Sequence, residues 1–211
     1  IDGHIDTINA ITEINVYATD HPGLFSSLAG SLTLAGAIVL DAKVSTTKNG
    51  MALDSFWVQN SINLPYSNNS DLEKLFRYIK SGVQDKSWLQ KEYQNKKFDS
   101  QQNKNYFEIA TKISINNNIS NLYTVIEITT HDKRGLLYEI TESLIKLELQ
   151  ISSAHISTYG KRVVDVFYVK DLFGLKVTNK RKINKIIKHL KEKVDTNKKN
   201  LTGEKSHIIA A

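Results

Sequence analysis

Residues 18–59 read ATDHPGLFSSLAGSLTLAGAIVLDAKVSTTKNGMALDSFWVQ, and most of a folding unit can be read from them. Just ahead, Ile14, Val16 and Ala18 alternate with Glu13, Asn15 and Tyr17, the period of a strand with one buried face. Asp20-His21-Pro22-Gly23 breaks that strand with a turn. Leu24, Leu28, Leu32 and Ala35 then fall on one helical stripe, and Gly36 stands where the helix should end. The branched run 37–47 predicts a second strand, Asn49-Gly50 a hairpin, and Met51 to Val58 a returning strand with Asp54, Phe56 and Val58 in phase.

The turn carries chemistry as well as shape. A helix start presents N–H groups that favour an anion, and the Asp20 carboxylate beside it favours an ammonium. A small zwitterion, an α-amino acid, meets both demands. Asp20 could equally serve as a helix N-cap, since Asp is a common residue there.

The same phrase returns later in the chain. Asp132-Lys133-Arg134-Gly135-Leu136-Leu137 follows a strand (Tyr123 to Thr130) and opens a helix striped by Leu136, Ile140, Leu144 and Leu147. Strands at 151–158 and 163–169 follow, joined by a turn at 159–162. Without gaps, Thr12 matches Thr124, Asp20 matches Asp132, Gly23 matches Gly135, Leu32 matches Leu144 and Thr46 matches Thr158. After one hairpin residue is lost, Asp54, Phe56 and Val58 match Asp165, Phe167 and Val169. This is a tandem repeat of one α/β module.

Between the halves, Ser70 to Glu73 reads as a capping box for a helix with Leu72, Leu75, Phe76, Ile79 and Val83 on its apolar stripe. Residues 91–105 lack a period and are expected to form a mobile loop, and 107–115 to close the first module as its fourth strand. A helix over 179–194 ends the second module. For that module's own fourth strand, Ser206 to Ile209 is the only candidate. The expected division is a lead-in at 1–10, a first domain at 11–118, a second at 119–195 and a tail at 196–211.

Composition narrows the function classes. The chain has 211 residues, 40% hydrophobic and 24% charged, with no cysteine, so disulfides and thiolate metal sites are excluded. No stretch is apolar enough to span a membrane and no signal peptide is visible, which predicts a cytoplasmic protein. The net charge of +6 would suit nucleic acid, but it is local. From Leu172 onward there are 11 Lys and Arg against 3 Asp and Glu, leaving 17 against 19 elsewhere. The basicity is that of one solvated helix face and tail. The Lys/Arg-Gly-Phe-x-Phe strand of RNA-recognition modules is also absent, so no nucleic-acid partner is expected.

These residues, with the run YTVIEITTHDKRGLLYEITESLIKLELQISSAHISTYGKRVVDVFYVKDLFGLKVTN at 123–179, resemble a pair of ACT domains. ACT domains are ferredoxin-like βαββαβ modules, α/β (α+β) in class, with antiparallel sheets and helices on one face. More narrowly the chain resembles the C-terminal region of the bacterial PII uridylyltransferase/uridylyl-removing family. That resemblance implies an amino-acid effector, glutamine, acting on N-terminal catalytic domains that modify the PII protein with UTP and Mg2+. No nucleotidyltransferase or HD-type hydrolase signature occurs in this chain, so no cofactor and no catalytic residue are expected in it. A ligand-free ACT pair that only mediates contacts between domains or subunits is the alternative.

Carried over residue by residue, the ACT site falls on the turns and on the start of the second strand of each module. In the first repeat these are Asp20, His21, Pro22, Gly23, Leu24 and Ile38; in the second, Asp132, Arg134, Gly135, Leu136 and Gln150. Neither half keeps every feature, because Ile38 is apolar where the family often has Asn and Arg134 replaces the turn proline. A ligand held where the modules face each other, drawing groups from both, is therefore expected. Asp54 and Asp165, alone in their strand phase, are expected to anchor backbone, and His155 to be structural.

Overall fold

The computed structural model of the chain describes residues 1–66, 68–96 and 109–199. Its strands are β1 (Asp2–Asp6), β2 (Ile11–Thr19), β3 (Ile38–Thr46), β4 (Met51–Gln59), β5 (Lys112–Asn116), β6 (Thr124–His131), β7 (Leu149–Tyr159) and β8 (Arg162–Asp171). The helices are α1 (Leu24–Ala35), α2 (Asn69–Gln84), α3 (Lys86–Asn95), α4 (Leu136–Lys146) and α5 (Lys180–Lys199). The two halves share one eight-stranded sheet in the order β1-β2-β4-β3-β7-β8-β6-β5, with every neighbouring pair antiparallel.

That order reads the same from the centre outward in both directions. The seam is β3 against β7, with Asp41 opposite Ser157, Ala42 opposite Ile156 and Lys43 opposite His155. Lys43 and His155 are equivalent residues of the two repeats, so their pairing marks a pseudo-two-fold axis. Above the seam α1 lies on α4, where Tyr138 packs closely over Gly30 and the Ser26 hydroxyl donates to Glu142 Oε1 at 2.9 Å.

Alternation does what the sequence predicts. Ala52, Phe56 and Val58 are buried on one face of β4, and Val163, Phe167 and Val169 on one face of β8. Each face is covered by its helix: Phe25 of α1 stacks on Phe56 with ring centroids 5.7 Å apart. In α1 burial extends past the expected stripe to every residue from Leu24 to Leu34. This helix sits between α2, α4 and the sheet, and its small Ala, Ser and Gly residues permit close approach on several sides.

Four expectations change. Residues 2–6 are a strand on the edge of the sheet, paired with β2, where a patternless lead-in was expected; a short edge strand needs little apolar alternation. The strand expected to close the first module is β5, and it pairs with β6 of the second half. Each half thus takes its outer strand from its own N-terminal side, so the place beside β6 is already filled. The candidate strand 206–209 lies outside the described residues. Residues 91–95 belong to α3, whose start is capped by the Asp85 carboxylate accepting from Trp88 N–H at 2.9 Å; the rest of the expected loop, 97–105, lies outside the described residues. Finally, α2 is capped not by Ser70 but by Asn68, whose Oδ1 accepts from Asp71 N–H at 2.7 Å.

Candidate functional site

The first turn is held from two sides. Asp20 N–H donates to Gly50 O at 3.1 Å, and the Thr46 hydroxyl donates to Asp20 Oδ2 at 2.6 Å. Gly23, at φ 95°, starts α1 in the left-handed conformation with no side-chain cap. Asp20 is therefore not the helix cap, and the first N–H groups of α1 lack a side-chain acceptor. The second turn repeats this, with Gly135 at φ 81° and no side-chain cap on α4, so Asp132 is not a cap either.

The seam decides what each turn faces. Because β7 runs antiparallel to β3, the end of β3 beside the first turn lies next to the start of β7. A cleft of about 270 Å³ opens there, lined by Asp20, His21, Pro22, Gly23, Phe25 and Ser26 from the first turn and α1, by Val44, Thr46, Ala52 and Asp54 from its own strands, and by Gln150, Ile151 and Ser152 from the other half. The volume suits a small metabolite. By the same symmetry the second turn (Asp132, Arg134, Gly135, Leu136) faces Ile38 and Val39 of the first half across a cleft of about 240 Å³. The two halves exchange partners. The intact turn meets the polar Gln150, and the turn carrying Arg134 meets the apolar Ile38.

The floors of both clefts hold buried carboxyls. Asp54 and Asp165 are each 1% exposed. Asp54 Oδ1 and both carboxyl oxygens of Asp165 are the buried side-chain N and O atoms without a hydrogen-bond partner among the described residues. Burial pushes Asp54 up to about 7, opposed by the Ser45 backbone N–H and reinforced by the Asp20 charge. Burial pushes Asp165 well above the usual carboxylate range, with Asp132 adding to it. Asp132 is itself raised by burial, against the nearby His131. The expectation that these strand aspartates only anchor backbone therefore covers part of Asp54 and none of Asp165's oxygens. The sequence signal was the repetition itself: an acid in the buried phase of the same strand, twice.

The two helix starts differ in what surrounds their glycines. A Cβ at Gly23 would meet nothing nearer than 3.6 Å, whereas at Gly135 it would come within 2.1 Å of Tyr93 Oη. Left-handed backbone costs an alanine roughly 1–2 kcal/mol at either place. Gly135→Ala must also displace Tyr93, which packs on Tyr138 with ring centroids 4.4 Å apart. Urea titrations should therefore give a clearly larger loss for Gly135→Ala than for Gly23→Ala; equal losses would show that Tyr93 moves aside at no cost.

Residues 119–199 match the family model described as the ACR family N-terminal ACT domain. These residues carry an ACT domain. Over 191 residues the chain is 43% identical to a bifunctional uridylyltransferase/uridylyl-removing enzyme of Azospirillum brasilense, covering 90% of the chain and 20% of the relative. It is 39% identical to the enzyme of the same name from Gluconobacter oxydans, covering 80% of the chain and 18% of the relative. The chain thus spans about a fifth of the length of the curated relatives it matches, and it matches their C-terminal region. Among solved structures, a Synechocystis aspartate kinase aligns at TM-score 0.43 and 10% identity, over 78% of the chain and 25% of the kinase.

Not every residue carried over from the ACT pattern lines a cleft. Leu24 is 2% exposed and belongs to the core. His21 and Pro22 line the first cleft while staying exposed. His155 lies outside both clefts, edge-on to Tyr168 with ring centroids 6.3 Å apart. Thr46, Ser152 and Leu172 line the first cleft without having been singled out, because only the seam brings them there. Among the described residues no three His, Cys, Asp or Glu side chains come together as a metal site, and no helix is long and apolar enough to cross a membrane.

Proposed function

We propose that both halves of the chain are ACT units and that together they form the amino-acid-sensing region of a uridylyltransferase/uridylyl-removing enzyme, with glutamine as effector. Residues 119–199 carry the family match, and the first half repeats their element order. The observation that carries the reading is the composition of the first cleft. An uncapped helix start and acidic groups (Asp20 and Asp54) share one small space with Gln150 of the other half. The helix start suits a ligand carboxylate, one buried acid suits its ammonium, and Gln150 can both donate to and accept from a side-chain amide. The second cleft, with Arg134 in the turn and Ile38 opposite, offers no such amide partner.

Regulation follows from where the cleft lies. A ligand touching α1, β3 and β7 together stabilises one arrangement of the two halves, and that arrangement is what catalytic domains elsewhere in the enzyme would respond to. UTP, Mg2+ and the PII protein belong, on this reading, to those domains.

Thermal unfolding tests it. Glutamine at about a hundred times its dissociation constant adds about 2.7 kcal/mol, a rise of roughly 5–10 °C for a chain of this size. Gln150→Ala should remove most of that rise, and Asp132→Ala, in the other cleft, should leave it intact. An unchanged melting temperature with glutamine and with a panel of other amino acids would leave the ligand-free contact module as the reading.

A further inference from the structure

Protein interiors seldom leave a buried polar atom unpaired, because the loss of hydration is then uncompensated. Among the described residues of this chain such side-chain atoms belong to two aspartates alone, Asp54 and Asp165. They occupy the same place in the two repeats, between apolar neighbours: Val16 and Val44 flank Asp54, and Ile128 and Ile156 flank Asp165. Each lines the cleft of its own half. Asp20, by contrast, is exposed and already accepts from Thr46.

We infer that Asp54, rather than Asp20, is the cation acceptor of the first cleft, receiving the primary ammonium of the bound amino acid on its unpaired Oδ1. The inference rests on the amino-acid reading of that cleft. The charged surroundings of Asp54 leave the role to a ligand. From the turn come Asp20 and His21; α1 contributes no ionisable side chain; β7 contributes the uncharged Gln150 and Ser152. Lys86, the nearest lysine to the helix start, is paired with Glu142 at 3.1 Å. No cation of the cleft neutralises the Asp54 carboxyl, and burial keeps it protonated up to about pH 7. An arriving ammonium supplies the missing positive charge, and the carboxyl proton leaves to solvent. Asp165 has the same orphaned geometry in the second cleft, so the arrangement is a property of the repeat.

Calorimetric titration of the chain with L-glutamine and with its des-amino analogue, 4-carbamoylbutanoate, separates the roles. Removing one partner of a buried charge-assisted hydrogen bond predicts that Asp54→Asn weakens glutamine binding about thirtyfold. The same change should leave the analogue's weaker binding within about threefold of wild type. Asp20→Asn should change glutamine affinity by less than about fivefold. At pH 7, titrations in buffers of different ionisation enthalpy should show proton release on glutamine binding to wild type and none with Asp54→Asn. Glutamine binding unchanged in Asp54→Asn, with the same proton release, overturns this inference alone. A wild-type chain that binds no amino acid overturns the amino-acid reading together with it.

Discussion

Asp54→Asn is expected to make the ligand-free chain more stable at pH 8, by an amount on the order of 4 kcal/mol at most. The Asp54 carboxyl is pushed up from 3.8 to about 7 by burial. In the folded chain it keeps its proton until about pH 7, and in the unfolded chain it loses it near pH 4. Between those values the folded state binds the extra proton, so stability falls as the pH climbs through the window and levels off above it. From pH 5 to pH 8 Asp54 alone should cost wild type about 3 kcal/mol. Asp165, shifted in the same direction by the same cause, steepens the fall. Asparagine has no charge to bury and can still accept from Ser45 N–H. Urea titrations at pH 5 and pH 8 check this: a wild type equally stable at both, or a variant with the same pH slope, contradicts it. Together with the calorimetry, the variant should be more stable and a poorer glutamine binder, the usual exchange between stability and a site that holds unpaired charge.

The second large effect concerns cooperativity. Phe167, fully buried at 0% exposure in the second half, should cost 3–5 kcal/mol when changed to Ala, as large-to-small core changes do. The two tryptophans of the chain, Trp57 and Trp88, both lie in the first half. The β3–β7 seam continues one sheet through both halves, and α1 packs on α4 above it, so the halves should unfold as one unit. Phe167→Ala should then move the tryptophan fluorescence midpoint as far as it moves the far-ultraviolet circular dichroism midpoint. A fluorescence transition left in place while circular dichroism splits in two would mean that the halves melt independently.

Much of this fold was legible because its signals are local. Alternation at 14–18, the Asp20–Gly23 turn, the 24–35 stripe and the Asn49-Gly50 hairpin each concern a few residues, and the repeat states them twice. Fold class and the family resemblance followed from these, and the ACT match agrees with both. What escaped was non-local. Nothing in 112–116 tells which half it will join, since an edge strand of alternating Ile suits either β2 or β6; the position beside β2 was taken by residues 2–6, which carry almost no pattern. The helix at 86–95 hid in a polar sequence because its first turn depends on Asp85 as a cap and it buries only Leu89. The clefts were half legible. Sequence named the turns and the two strand positions, Ile38 and Gln150, but each within its own repeat. Only the antiparallel seam shows that the strand positions trade places.

That trade has a consequence for how the region can be inherited or transplanted. Had each copy carried its own complete site, either could be lifted out as a unit. Here a cut between Asn95 and Lys112 would leave two pieces, one holding the Asp20 turn without Gln150 and the other holding Gln150 without the turn. A single copy could make a whole cleft only by pairing with a second copy of itself. Within the one chain the two clefts differ on opposite sides of the same axis. The unit that carries a whole cleft is therefore the pair, and a graft of either half alone carries no cleft with it.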